Sequence, residues 1–440
     1  MKLPFRYDAR IIELDVPDDA VVYTSRFPAP AGTDAGIVLA AVRDPVQSVP
    51  LADALRARRP GPVVIAVSDV TRPIPYARFL APLLRSIEDA GVSRGEIRIL
   101  IATGMHRPST AGERRMMFGD EIVSGYRILD HDAQDDTALV ELEGRSWSGS
   151  RVRIDRHFVE AGFRMVTGLV EPHFMAGFSG GRKTVCPGLA ALESIQQFHG
   201  AEFLGNPSAT SAVLARNPCH EEALSVARLA GVDFSLNVVI DQERRVVRAY
   251  AGELEAAHRA ACDCAREATC RTVEQPGDIA LTSSGGYPLD ATFYQCVKGL
   301  VTCLPSIRGG GRIVAFGGCR EGVGSATYRR IMRDHARRWS EFEETIRRPG
   351  FFVKDQWEFQ MQIRALKKTG GPGRVHFVSG GLDEETFGDL AVSGVAVADG
   401  DVERRVQAVL DAALREGGRL SVFPEGPYCV AIEKEGVDTG

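Results

Sequence analysis

The chain has 440 residues, 44% apolar and 25% charged, the proportions of a globular protein long enough for two or three domains. Its net charge of −5 gives no general affinity for nucleic acid or acidic membranes, so basic runs such as RALKK (364–368) read as solvated helix faces. No stretch of about 18 apolar residues offers a membrane-spanning helix. The acid-bearing start MKLPFRYDARIIELDVPDD does not read as a signal peptide. Nine cysteines occur without a C-x-x-C pair and read as small buried hydrophobes of a reducing compartment, so a cytoplasmic protein is expected.

In chain order, PVVIAVSDVTRP (62–73), IRILIATGMHRP (97–108) and FRMVTGLVEPHF (163–174) are apolar runs that end in polar or small residues. DIALTSSGG (278–286), GRIVAFGG (311–318) and RVHFVSGG (374–381) repeat the pattern in the second half. Helical patterns lie among them, such as ARFLAPLLRSIEDAG (77–91) and DVERRVQAVLDAALREGG (401–418). Continuous apolar strands alternating with amphipathic helices predict an α/β protein with parallel-rich sheets. A boundary is expected near CRTVEQPGD (270–278), where a long amphipathic stretch ends in Pro and Gly and a new strand series begins. The tail, 418–436, reads as strand, turn and strand returning to the first domain. The expected division is 1–275 plus 418–440 for that domain and 276–417 for the second.

Ligands of parallel sheets bind beyond the carboxyl ends of the strands. The residues that stand there are Asp69, Thr71 and Arg72 after the first run, His106 after the second, and Glu171 and His173 after the third. His199 follows in SIQQFHG, late in a predicted helix. A lone histidine is more often structural than catalytic; two at strand ends and one after a glycine-rich loop are a constellation. Histidine and cysteine spacing supplies no zinc pattern.

The loop GFSGGRKT (177–184) is nearly the phosphate-binding G-x-x-x-x-G-K-[ST], except that Arg182 stands before the lysine where glycine is required. Glycines at 168, 177, 180 and 181 permit close approach of a ligand to backbone N–H groups. Three readings stand: a phosphoryl-transfer loop, a plain turn with a solvated lysine, or a cradle in which Lys183 serves as anchor or nucleophile. Asp69 and Arg72 form either a local surface pair or an arginine fork for a carboxylate or phosphate. Tyr294 and Lys298 are four apart on a predicted helix, with Gln295 beside them, and read as an anion-binding edge or an ordinary helix face. Trp357, in KDQWEFQ, reads as packing when taken by itself.

Taken together, SDVTRP, ATGMHRP, EPHFMAGFSGGRKT, FHG, GGYPLD…YQ…VKG and DQWEFQ resemble, in order and over most of the chain, the nickel-pincer-dependent lactate racemase family of 2-hydroxyacid racemases and epimerases. The resemblance implies two α/β domains with the active site in the cleft between them. It implies nickel held by a pyridinium-3-thioamide-5-thiocarboxylic acid mononucleotide that is tethered to Lys183, with His199 as protein ligand. Thr71, Gly180 and Gly181 are expected beside the cofactor, and Asp69 is expected to orient the cofactor or Arg72. The implied reaction is proton-coupled hydride transfer through a planar 2-keto acid, with His106 and His173 as the acid–base pair. Arg72 and Lys298 would hold the substrate carboxylate, assisted by Tyr294 and Gln295, with Trp357 near the pocket. The substrate is lactate or a larger relative; Met105, Phe174, Met175 and Phe293 are bulky candidates for contact with its side chain. The implied partners are this small acid and the host's cofactor-maturation enzymes, with neither nucleic acid nor membrane. A phosphoryl-transfer enzyme and a non-catalytic binder of small anions are the alternatives.

Overall fold

The computed structural model describes residues 1–348 and 350–434. The chain divides into two compact units, one of Phe27–His199 with Asn206–Ala268 and one of Met1–Arg26, Gly200–Gly205 and Thr269–Gly440. Among the described residues no helix is long and apolar enough to cross a membrane. All nine cysteines are free thiols and eight are buried, which fits their reading as small hydrophobes.

The first unit is built on a six-stranded sheet in the order Val246–Gly252, Phe234–Ile240, Phe163–Leu169, Val63–Ser68, Ile97–Ala102, Arg127–Asp130. All neighbours are parallel except the edge strand Val246–Gly252. Val63–Ser68 is central, and its first five residues are buried, which accounts for a run of β-branched and small apolar residues with no polar alternation. Helix Tyr76–Asp89 covers one face. Its Tyr76, Phe79, Leu80, Leu83, Leu84 and Ile87 recur at three- and four-residue spacing and are all buried, each contributing roughly 1.5–3 kcal/mol.

The order of these strands matters for function. From Val63–Ser68 the chain moves outward through Ile97–Ala102 to Arg127–Asp130. It then returns to the other side of Val63–Ser68 with Phe163–Leu169. The loops leaving these two adjacent strands diverge, which opens a crevice beyond their carboxyl ends.

The second unit has a six-stranded, all-parallel sheet: Ser393–Ala396, Val375–Ser379, Ile307–Phe316, Gly277–Ser283, Leu420–Phe423, Val21–Val22. The predicted helix at 401–418 is Val402–Arg415, and it buries Val402, Val406, Leu410 and Ala413. Phe5, Tyr7, Ile12 and Leu14 of the hairpin Lys2–Tyr7/Arg10–Asp15 join the same core as Leu281, Val314, Phe316 and Leu410.

This corrects the expected division at both ends. The tail strand Leu420–Phe423 is buried along its whole length and pairs with Gly277–Ser283 in the second sheet, not with the first domain. An apolar strand needs a neighbour on each edge, and the N-terminal segment supplies the other through Val21–Val22. Residues 435–440 of the expected first domain lie outside the described residues.

Candidate active site

The crevice of the first unit collects the polar residues noted at the strand ends. Asp69 leaves Val63–Ser68, and His106 follows the adjacent strand Ile97–Ala102, so the two loops stand side by side. Asp69 Oδ2 lies 2.6 Å from His106 Nδ1, and Asp69 Oδ1 accepts from Thr71 Oγ1 at 2.6 Å and Thr71 N at 3.3 Å. Burial opposes ionisation of Asp69, but His106, Thr71 and the charge of Arg72 together outweigh it and hold the carboxyl below its ordinary range. An ionised carboxylate only accepts hydrogen bonds, so His106 donates from Nδ1 and, as a neutral ring, carries its lone pair on Nε2. Its side chain is 57% exposed. Parallel neighbours bring Asp69 to His106. Arg72 instead forms an ion pair with Glu171, Nη1 to Oε1 3.6 Å, between the two diverging loops.

His173 stands on a two-residue strand, Pro172–His173, paired with Gly177–Phe178. Its Nδ1 accepts from Met175 N at 3.2 Å and Ala176 N at 3.3 Å. The ring proton therefore sits on Nε2, 3.2 Å from Lys183 Nζ. The two histidines thus present opposite tautomers, a lone pair on His106 Nε2 and a proton on His173 Nε2.

Lys183 is partly accessible yet densely surrounded, with Nζ 4.8 Å above the centre of the Phe198 ring. Burial lowers its pKa well below the ordinary lysine value, and the charges of Arg72 and Arg182 lower it further. The shift favours the neutral amine, the form that accepts from His173 Nε2–H and acts as a nucleophile. His199 caps the helix Leu192–Phe198, and its Nδ1 donates to Ile195 O at 2.9 Å. Burial pushes its pKa down to about 3. The ring is neutral and offers its lone pair through Nε2, the arrangement in which a backbone carbonyl orients a metal-binding imidazole.

The loop itself is not a phosphate cradle. A Cβ at Gly177 would lie 2.1 Å from Val213 O, and one at Gly180 would lie 2.6 Å from Val170 Cγ2. One at Gly181 would meet His258 Cδ2 at 2.8 Å, and Gly181 N already donates to Asn237 Oδ1 at 2.9 Å. At these three positions a glycine lets backbone pack closely on protein. Arg182 is buried and donates to Ala176 O at 2.9 Å, tying the loop to itself. Only a short turn, Gly181–Thr184, follows, so the helix that a phosphate-binding loop needs is missing at that point and the phosphoryl-transfer reading loses its support.

The second unit brings together another group. Tyr294, Gln295 and Lys298 lie on helix Phe293–Thr302, and Trp357 lies in the first turn of helix Gln356–Thr369. Trp357 Nε1 donates to the Tyr294 hydroxyl at 2.8 Å. Gln295 Oε1 is buried without a hydrogen-bond partner, which marks it as an acceptor awaiting a donor. Glu171 was not singled out as a site residue from the sequence, where it was visible only as a polar residue ending a strand.

Among the described residues no group of three His, Cys, Asp or Glu side chains is placed to hold a metal ion. The neutral Lys183 amine and the oriented His199 imidazole fit a group that is tethered at one point and ligated at another.

Residues 7–212 match the family described as the lactate racemase N-terminal domain, and residues 272–426 match the lactate racemase C-terminal domain. The chain is 31% identical over 433 residues to the lactate racemase of Thermoanaerobacterium thermosaccharolyticum, covering 97% of this chain and 98% of that protein. It is 32% identical over 429 residues to the lactate racemase of Lactiplantibacillus plantarum, covering 96% and 97%. Its fold is similar to that of the lactate racemase apoprotein from Thermoanaerobacterium thermosaccharolyticum, with a TM-score of 0.89 over 98% of this chain and 100% of that one at 30% identity. A Thermotoga maritima protein shares the fold at a TM-score of 0.63 and 17% identity, over 87% of this chain and 96% of that one.

Proposed function

Because the chain belongs to the lactate racemase family, we propose that it is an isomerase that interconverts the two configurations at C2 of a small 2-hydroxy acid. The observation that carries this reading is the pair of opposite tautomers at His106 and His173. Racemisation through a planar 2-keto acid needs one group to take the hydroxyl proton and another to give a proton to the carbonyl oxygen once the keto acid has presented its other face to the hydride donor. Each histidine serves in one role for one enantiomer and in the other role for its mirror image.

His106 Nε2 is the base for one enantiomer. Asp69 holds the ring in place and stays paired with it when the imidazole takes the second proton. His173 Nε2–H is the matching acid, and its proton is poised before any substrate binds. Arg72 and Lys298 hold the substrate carboxylate, a planar acceptor suited to a guanidinium fork and a point charge. Gln295 and Tyr294 assist as polar neighbours, and Trp357 holds the Tyr294 hydroxyl in place. Lactate is the first candidate substrate, and larger 2-hydroxy acids are the others.

The residues fit a nickel-pincer nucleotide: Lys183 Nζ would form its covalent tether, and His199 Nε2 would be the protein ligand to nickel. When bound, that group supplies the hydride acceptor and donor, chemistry that no side chain here provides. Thr71 stands one residue from Arg72 and already binds Asp69, so its contribution on this reading passes through the His106 pair.

The reading is tested with protein produced alongside the host's cofactor-maturation enzymes and supplied with single enantiomers of several 2-hydroxy acids. Chiral chromatography is expected to show conversion to an equal mixture. No conversion of any of them, with nickel and the covalent adduct confirmed, refutes it. A non-catalytic binder of small anions would bind these acids and leave their configuration unchanged.

A further inference from the structure

The tautomer of His173 depends on a peptide group, and a buried side chain with no part in the chemistry so far holds that peptide. The amide between Met175 and Ala176 points its N–H at His173 Nδ1, 3.3 Å away. Its carbonyl, Met175 O, accepts from Asn217 Nδ2 at 3.0 Å. A peptide group is planar and stiff, so fixing its oxygen fixes where the N–H on the other side points. The next carbonyl, Ala176 O, accepts from Arg182 Nη2 at 2.9 Å, so the loop is gripped at two successive peptides.

Asn217 is fully buried in the first unit, and its contacts admit one orientation of the amide. It caps helix Pro218–Ala230: Oδ1 accepts from Cys219 N at 3.0 Å and from His220 N at 3.4 Å. Nδ2 donates to Met175 O and, at 2.9 Å, to Val213 O. Turning the amide over would set an oxygen against two carbonyls and an NH2 against two N–H groups. A cap alone does not call for asparagine, because aspartate and serine accept from a helix N-terminus about as well. The two carbonyls do call for it: an ionised carboxylate donates nothing, and a hydroxyl has one proton for two acceptors. Val213 O is also the atom on which Gly177 packs, so one amide secures both sides of the contact between 172–178 and 212–217.

We propose that Asn217 is a positioning residue for His173: through the Met175–Ala176 peptide it keeps Nδ1 an acceptor and the ring proton on Nε2, the nitrogen beside Lys183. Its effect on the rate rests on the reading of His173 as one of the acid–base pair. With the tie removed, that peptide is free to turn. The bond from Ala176 N is then lost, while the one from Met175 N stays.

The test reads the ring itself. Nitrogen NMR of histidine-labelled protein separates Nε2–H from Nδ1–H imidazoles, with His173→Gln identifying the resonances, and it needs neither cofactor nor turnover. Wild-type His173 at pH 8 is expected to be the Nε2–H tautomer; a ring protonated on Nδ1 overturns the proposal. Asn217→Asp and Asn217→Ser both keep the cap and lose the paired donors. In each, the ratio of Nε2–H to Nδ1–H is expected to fall roughly 2- to 10-fold, the equivalent of one neutral hydrogen bond. His131, held by Asp155 and Ala190 O, is expected to stay as in wild type. A wild-type ratio in either folded variant, or a change shared equally by His131, overturns the proposal. Should neither variant fold, hydrogen exchange of wild type supplies the readout. Protection of both the Asn217 side-chain amide and the Ala176 N–H supports the tie, and exchange at the rate of an unfolded chain at either site overturns it. In the cofactor-loaded variants kcat/KM for D- and L-lactate is expected to fall by a factor similar to the tautomer ratio. An unchanged kcat/KM with a shifted ring, or a wild type that does not racemise, counts against the acid–base reading of His173 and leaves the tie standing.

Discussion

Asp69→Asn separates the role the structure places on this residue from the role expected of it. The side chain keeps its size, and the bond at stake is the 2.6 Å contact with His106 Nδ1. Two outcomes follow at the atomic level. The amide turns its NH2 toward Nδ1, which moves the ring proton to Nε2 and removes the base. Alternatively the amide oxygen faces Nδ1–H, and the imidazolium formed during turnover loses its carboxylate. A hydrogen bond to a charged group contributes about 1.5–3 kcal/mol, so kcat is expected to fall by about 10- to 150-fold. The value of kcat/KM must fall equally in both directions, because the equilibrium constant between mirror-image acids is unity. The assay is chiral chromatography of initial rates from each enantiomer, with metal analysis and intact mass of the same sample. Nickel content and the covalent adduct are expected to be unchanged, since Asp69 is bonded to His106 and Thr71. A variant with more than half the wild-type kcat refutes the His106–Asp69 reasoning. A variant that loses nickel or adduct assigns Asp69 to the cofactor.

Lys183→Ala and Lys183→Arg are both expected to lose the adduct mass, because the tether needs a neutral amine and a guanidinium is not one; an adduct retained by either contradicts the assignment. His199→Ala is expected to keep the adduct and lose most of the nickel, as read by mass and metal analysis together. Phe423 is fully buried in the tail strand and stacks on Tyr23 at 4.8 Å, so Phe423→Ala should cost about 3–5 kcal/mol by urea denaturation. A cost under about 1 kcal/mol would mean that the tail does not complete the second sheet. His199 and His220 are depressed to about 3 from an ordinary value near 6.5, by burial first, with His258 shifted the same way. The unfolded chain binds their protons below pH 6.5 and the folded protein does not, so stability is expected to fall as pH drops through 6.5. Each contributes up to about 1.4 kcal/mol per pH unit, and His220→Gln should remove one such share; equal stability of wild type at pH 7 and pH 5 would contradict this.

Much of this was legible in the chain because local physics wrote it there. Apolar runs such as 62–67 leave a buried parallel strand as the fitting assignment, and the polar residues that end them mark the crevice. The helices at 77–91 and 401–418 emerge within a few residues of their periodic patterns, as Tyr76–Asp89 and Val402–Arg415. What escaped was decided by contacts distant in sequence. Nothing near Leu420 records that its strand neighbours are Gly277–Ser283 and Val21–Val22. The pairing of Asp69 with His106 follows from strand adjacency, which periodicity does not report. The close packing of Gly177, Gly180 and Gly181 on protein was hidden because a glycine that faces protein and one that faces a phosphate look the same in sequence.

The central claim is that His106 and His173 form a two-base pair acting on a 2-hydroxy acid. The most direct measurement is chiral analysis of D-lactate and of larger 2-hydroxy acids, each incubated as a single enantiomer with protein whose nickel and adduct have been verified. The account predicts that at least one of these acids reaches an equal mixture with wild type, and that His106→Ala and His173→Ala each abolish the conversion. Configurations that stay unchanged with the wild-type protein, or racemisation that survives the loss of either histidine, would contradict it.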